Sequence, residues 1–386
     1  MTYPRSQLVP PGSPGTYHCV SRCVRRAFLC GVDRWSERSF EHRRQWVEDR
    51  LHALADLFAV AVWGYAVMSN HLHVVVQMLP DIAANWPDQE VAERWIRLFP
   101  RADASDTAQV LRVQALLGNP DRIAVLRARL VDLSWLMRCL SEPIARRANQ
   151  EDLCTGRFWE GRFKCQALLD DRAVLAAMAY VDLNPVRAQL CETLKDSIHT
   201  SAHRRIVEIE KAPEKSKAPL SPVTGIRGVG VLGMNQAEYL QLLDWTGREV
   251  RANKGGTLSG PAPKVLARFG PGDAQWTRQV LAVGSGFHRA IGSVENLIEG
   301  GNLGHPRLRQ KTGRQSQTPT LAAENWVSCA SCSGVANLPL QRRPGPGLGL
   351  IAGQVITVLL GHGRDRGAAQ RVRAGLGTGA WVSLVW

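Results

Sequence analysis

Along residues 16–30, TYHCVSRCVRRAFLC, apolar and polar positions partly alternate, the period of a half-buried strand, and the end of that strand is basic through Arg22, Arg25 and Arg26. The period lengthens over 36–60, where Phe40, Trp46, Val47, Leu51, Leu54 and Leu57 fall at helical spacing. Residues 61–79, AVWGYAVMSNHLHVVVQML, read as two strands joined by a turn at Met68-Ser69-Asn70, with HLHVVVQM as the second. Residues 88–150 are mainly helical, punctuated at Pro100, Gly118-Asn119-Pro120 and Pro143. A loop over 155–169, TGRFWEGRFKCQALL, leads into a strand. A helix over 170–183 follows, with Asp170 or Asp171 as N-cap and Asn184-Pro185 as its end or kink.

Beyond this point the pattern weakens. Residues 211–233 are rich in Pro, Gly, Ser and Lys and predict a linker, so that 1–205 forms one domain and 206–234 joins it to the next segment. Short helical patterns over 235–303 predict a small helical extension. Residues 304–386 have no usable periodicity and are expected to be disordered or non-native, for example a frame-shifted tail.

Composition narrows the function. The chain has 386 residues, with 45% apolar and 21% charged, which excludes a wholly disordered or fibrous protein. A formal net charge of +14 suggests a polyanionic partner, although seven Arg against two acidic residues lie in 312–386. No run is long and apolar enough to span a membrane, and no signal peptide is evident at the N-terminus. Nine scattered cysteines read as reduced thiols, with Cys329-Ala330-Ser331-Cys332 a lone CxxC lacking a second pair. The expected location is the cytoplasm.

Three segments carry candidate chemistry. In HLHVVV, residues i and i+2 of a strand face one side, so His71 and His73 point together and Leu72 points into the core. Two imidazoles on one face suit a divalent metal, and equally describe two histidines on a solvated strand. In Tyr180-Val181-Asp182-Leu183-Asn184, helical geometry sets a phenol and an amide oxygen one turn apart. The phenol is a nucleophile candidate and the amide oxygen a hard ligand; the bland reading is a helix stop with a half-buried tyrosine beside it. Of the five tyrosines, Tyr3 lies at the frayed terminus, Tyr17 and Tyr65 in strand-like runs and Tyr239 in an apolar helix outside the first domain, which leaves Tyr180 as the candidate with a potential ligand one turn away. In Gly156–Lys164, basic residues alternate with aromatics, as suits single-stranded nucleic acid, or as a turn flanked by core rings. Arg157, Trp159, Arg162 and Lys164, with the cluster Arg22, Arg25 and Arg26, are the DNA-contact candidates.

Four blocks in order, TYHCVSRCVRRAFL, GYAVMSNHLHVVVQ, GRFWEGRFKCQALLDD and AYVDLNPVRAQL, resemble the REP-associated tyrosine transposases of the HUH single-tyrosine superfamily. The resemblance covers about residues 16–190. It implies an α+β, ferredoxin-like fold: an antiparallel sheet with helices packed on one face, plus a helical insertion. It also implies a metal-dependent endonuclease and strand transferase acting on hairpin-forming single-stranded DNA through a 5′-phosphotyrosine intermediate. Tyr180 would be the nucleophile, and His71, His73 and Asn184 the ligands of Mg²⁺ or Mn²⁺. The protein would act as monomer or homodimer, with no membrane partner. The stretch between His73 and Tyr180 is longer than in compact members.

Two other classes stay open on the residues. One is a catalytically inactive or domesticated hairpin-DNA-binding protein on the same fold. The other is a metal hydrolase that adds His199 and His203, an HxxxH pair, to the HLH strand.

Overall fold

The computed structural model describes residues 8–24, 29–33, 37–101, 105–228, 232–252, 261–269, 273–284, 289–293, 295–297 and 326–328. The chain opens with strand β1 (Gly15–Arg22), helix α1 (His42–Ala55) and strands β2 (Val60–Val67) and β3 (His71–Met78). β3 pairs antiparallel with β1 on one side and β2 on the other. The Met68–Asn70 turn closes the hairpin, the Met68 N–H donating to the His71 carbonyl at 2.9 Å. The insertion then forms α2 (Pro80–Ala84), α3 (Asp88–Leu98), α4 (Asp106–Leu117), α5 (Pro120–Arg129) and α6 (Leu133–Glu151). Ser105, Asn119 and Asp132 start the last three, each side chain accepting a backbone N–H three residues on. Pro143, expected as a break, lies inside α6. Strand β4 (Lys164–Leu168) joins the free side of β1. Helix α7 (Asp171–Asp182), capped by Asp170, and the one-turn α8 (Asn184–Arg187) follow.

The four central strands therefore lie in the order β2-β3-β1-β4, which is the ferredoxin-like arrangement, and the α+β class holds. Strand alternation then divides the core. Leu72, Val74 and Val76 of β3 join the hydrophobic cluster that holds Val47, Leu51 and Leu54 of α1 and Leu136, Leu140 and Ile144 of α6. Val75, on the opposite face, joins Val174, Leu175 and Met178 of α7. Each such buried aliphatic side chain contributes about 1.5–3 kcal/mol. The expectation of helices on one face is thus corrected. α1 and α6 keep that place, and α7 with later elements covers the second face.

The reason is legible in α7 itself. Ala173, Val174, Leu175, Ala176, Ala177, Met178, Ala179 and Val181 are all buried, so between Ala173 and Ala179 the helix turns no polar side to water. A helix apolar all round needs cover on both sides. The second cover is the segment expected to be a linker and a separate extension, and that domain division is corrected too. After α9 (Ser201–Lys211) come β5 (Pro219–Leu220), β6 (Thr224–Gly225), β7 (Leu232–Asn235), α10 (Gln236–Ala252), α11 (Asp273–Gly284), β8 (Ala290–Ser293) and β9 (Trp326–Ser328). β6 adds to the edge of the sheet beside β2, while β8 adds beside β4 and pairs with β9, giving seven strands. Gly225 pairs with Ala61 at φ +85°, where a Cβ would collide with the Val60 carbonyl oxygen. Leu242, Leu243, Trp276, Val280 and Val283 are buried in the cluster around α7. Apart from 326–328, the tail over 304–386 lies outside the described residues, as does the Cys329–Cys332 pair. No described helix is long and apolar enough to cross a membrane.

Two polar clusters tie the body together. Arg43 of α1, fully buried, pairs with Glu151 at 2.8 Å and with Asp152 at the end of α6, its guanidinium 4.2 Å from the Phe40 ring centroid. Glu48 accepts from the Tyr65 hydroxyl at 2.5 Å and meets His199 Nδ1 at 2.5 Å. Burial pushes the Glu48 carboxyl up, but hydrogen bonds from His199, His52 and Tyr65 outweigh it, and its pKa is depressed. A depressed carboxyl adds stability above its unfolded pKa and loses it as the pH falls through that value toward the folded one. Glu48→Gln is therefore expected to lower unfolding free energy by about 1–3 kcal/mol at pH 7. The difference from wild type should shrink steadily below pH 4.5, the ordinary value. Urea titrations at a series of pH values check this, and a constant difference across that range would contradict it.

Candidate functional site

The site stands on the α7 face of the sheet, where β1, β3 and β4 lie side by side. His18 lies opposite Gln166 in the β1–β4 register, and Val20 lies opposite both His73 and Lys164. Side chains opposite one another in register share a face, so His18, Arg22, His71, His73 and Gln166 stand together. A hydrogen-bonded chain runs across them. Gln166 Oε1 meets His18 Nδ1 at 2.7 Å, His18 Nε2 meets His73 Nδ1 at 2.9 Å, and His73 Nε2 meets Asn184 Nδ2 at 2.9 Å. His71 Nδ1 meets Asn70 Oδ1 at 2.5 Å.

Every link in this chain is satisfied when each imidazole is neutral and carries its proton on Nδ1. The electrostatics agree. Burial, opposed by the hydrogen bond to Gln166, pushes the His18 pKa down to about 4. Burial, then the positive fields of Arg22 and His18, brings His71 to about 4. His73, 3% exposed, is held well below the ordinary histidine value by burial first and by its cationic surroundings second. His71 and His73 therefore keep Nδ1 engaged and leave Nε2 as the lone-pair nitrogen, the arrangement in which metal-ligating histidines are oriented by an outer partner.

Helix α7 brings the phenol. The Tyr180 ring meets the His73 ring edge-on at 5.6 Å between centroids and the His18 ring at 5.9 Å. The α7 ladder stops at Asp182, and α8 starts at Asn184 with Pro185 in its first turn, which aims Asn184 at His73. Arg187, one turn beyond Asn184, places its guanidinium carbon 4.9 Å from the Tyr180 ring centroid. Asp182 anchors this corner. Fully buried, it accepts from the Ser201 hydroxyl, from Ala202 N–H at 2.9 Å and from the Tyr239 hydroxyl at 2.7 Å, tying α7 to α9 and α10.

His71, His73, Tyr180 and Asn184, spread over more than a hundred positions of sequence, thus meet at one place. The donors are two imidazole nitrogens and an amide oxygen, once the Asn184 amide is turned. That is a neutral set with further positions left for water or phosphate oxygen, and it fits Mn²⁺ or Mg²⁺. Among the described residues no group of three or more His, Cys, Asp or Glu is arranged to hold a metal ion, so an amide ligand is needed to complete such a site.

Tyr17, Tyr65 and Tyr239 are buried, and burial raises the pKa of each, so Tyr180 is the described tyrosine with partial access to solvent. The basic candidates divide. Arg22 pairs with His71 in register, and Glu160 N–H donates to the Arg22 carbonyl at 2.9 Å, so the 157–163 loop lies at the His71 end of the sheet. Arg22, Arg157, Arg162 and Lys164 are exposed there. Arg157 donates to the Glu160 carbonyl at 3.3 Å. Trp159, expected to stack on a base, is used internally: its ring packs on the core and its indole N–H donates to the Ser141 carbonyl at 2.8 Å. Arg25 and Arg26 lie outside the described residues.

His199 and His203 do not converge. His199 faces Glu48, and His203 Nδ1 faces the Lys195 carbonyl at 2.6 Å, which removes the HxxxH metal-hydrolase reading. His18, Gln166 and Arg187 were not singled out by the sequence reading. Alternation in TYHCVSR and KCQAL would have placed the first two on the histidine face, and helical spacing from Asn184 the third.

No family model matches the chain, and no curated protein matches it. Among solved structures it is similar to one described as the REP-associated tyrosine transposase bound to a REP hairpin. The identity is 13%, the match covers 57% of this chain and 90% of that chain, and the TM-score is 0.31.

Proposed function

We propose that the protein is a metal-dependent, single-stranded DNA endonuclease and strand transferase, with Tyr180 as nucleophile. The observation that carries this reading is the meeting of the Tyr180 ring with His73, itself in hydrogen-bond contact with Asn184. His71, His73 and Asn184 would hold Mg²⁺ or Mn²⁺. The ion would supply Lewis-acid polarisation of a non-bridging oxygen on the scissile phosphate. Tyr180 forms the bond to phosphorus as the bond to the 3′-oxygen breaks. The phenol loses its proton, the leaving 3′-oxygen gains one, and the product is a 5′-phosphotyrosine with a free 3′-hydroxyl. The ester retains the bond, so another 3′-hydroxyl can reverse the step and join strands. His18 and Gln166 hold the His73 ring in orientation, and Asn70 does the same for His71. Arg22, Arg157, Arg162 and Lys164 meet the phosphates of a hairpin-forming strand.

The test is to incubate the full chain with Mn²⁺ and labelled hairpin oligonucleotides from beside its own gene. The expected result is a protein–DNA adduct that survives denaturing electrophoresis and is lost with EDTA or in His73→Ala. Hairpin binding with no adduct under Mn²⁺ would contradict the proposal and leave a non-catalytic DNA-binding protein.

A further inference from the structure

Resting on the reading of Tyr180 as nucleophile, we propose that Gly284, at the end of α11, is a positioning residue that fixes where the Tyr180 hydroxyl stands. α11 lays Trp276, Val280 and Val283 on α7, spacings of one helical face, and Gly284 follows on that face. A Cβ built on Gly284 falls 2.5 Å from both Cζ and Cε2 of Tyr180 and closer still to the hydroxyl oxygen. Real Cβ atoms are not found at such distances, so a side chain here would displace the phenol, the tip of a rotatable side chain. The backbone of α11 is thus one wall of the pocket in which the phenol lies, with His73, His18 and Arg187 as others.

The wall is fixed in place. Trp276, Val280 and Val283 are fully buried in the cluster around α7. Trp276 Nε1–H donates to Thr246 Oγ1 at 2.9 Å, and Arg172 of α7 donates to Gln279 Oε1 at 2.7 Å and to the Phe269 carbonyl. Withdrawing α11 would expose these side chains and break the Trp276 and Gln279 bonds together, so the contact sets the position of the phenol and does not act as a removable cover. The residues after 234 are by this argument part of the catalytic unit.

The test uses the full chain labelled with 3-fluorotyrosine, whose five tyrosines give five fluorine resonances, that of Tyr180 being the one missing in Tyr180→Phe. In Gly284→Ala the Tyr180 resonance is expected to move while the others stay. Cleavage turnover should fall about 100-fold, the scale of a displacement near 1 Å, with hairpin affinity and the urea midpoint unchanged. A folded Gly284→Ala with the wild-type Tyr180 resonance and turnover overturns the proposal, as does faster cleavage. If Gly284→Ala loses its cooperative melt, Arg172→Gln, which loosens α11 without adding bulk, must shift or broaden the same resonance; an unchanged resonance overturns the proposal. A resonance that moves in Gly284→Ala when the wild-type chain itself makes no adduct keeps the wall and rejects the nucleophile reading.

Discussion

Tyr180→Phe is expected to abolish the covalent adduct and to lower strand cleavage by on the order of 10⁴-fold or more. The change removes one oxygen atom and keeps the ring, so the edge contacts to His73 and His18 and the guanidinium of Arg187 remain. Fold and hairpin affinity should therefore be retained, which separates loss of chemistry from loss of structure. The other described tyrosines cannot substitute. Tyr65 and Tyr239 are fully buried and hydrogen-bonded to Glu48 and Asp182, and Tyr17 is 3% exposed. Electrophoresis of labelled hairpin with the two proteins side by side checks the prediction. Adduct from the Phe variant at the wild-type rate would mean a different nucleophile.

Asp182→Ala should be the most destabilising single change in the neighbourhood of the site. Its carboxylate takes three donors, from Ser201, Ala202 and Tyr239, all in the buried interior. Arg205, 2% exposed, lies in its field. Removing the acceptor leaves those buried donors unpaired and takes one negative charge from the field around Arg205, which still donates to the Trp63 and Ser221 carbonyls, at a cost of about 3–5 kcal/mol. Asp182→Asn keeps one acceptor oxygen and should lose less. Urea unfolding with an unchanged slope is the measurement, and an Ala variant within about 0.5 kcal/mol of wild type would refute the latch. Because Asp182 ties the α7–α8 junction to α9 and α10, its loss should also loosen the aim of Asn184 at His73.

The central sheet was legible because its strands obey period 2 and its turn is short. HLHVVVQM gave both the strand and the shared direction of His71 and His73, and the fold keeps both. Asp170 as a cap and Asn184-Pro185 as a helix break follow from local chemistry, which survives packing. The linker expectation failed for a different reason. Prolines and glycines over 211–233 do mark turns, but the turns connect short strands that pair with partners remote in sequence, as β6 does with β2. Pairing of that kind leaves no local period to read. The wholly apolar run from Ala173 to Ala179 carried the missing information, since a helix without a polar side requires a second covering layer. Trp159 misled because a tryptophan among arginines has the same composition whether it stacks on a base or on its own core. His18 was passed over because a single histidine in an apolar strand becomes informative only when the register sets it against Gln166 and beside His73.

In the proposed function Tyr180 forms the bond to DNA. Trypsin cleaves after Arg172 and Arg187, so Tyr180 lies on the peptide Ala173–Arg187, which contains no other tyrosine. The direct measurement is mass spectrometry of the adduct formed with a hairpin oligonucleotide and Mn²⁺, after nuclease and trypsin digestion. The expected result is a nucleotide phosphate on that peptide, carried by Tyr180. The same mass on the peptide of Tyr17, Tyr65 or Tyr239 would contradict it.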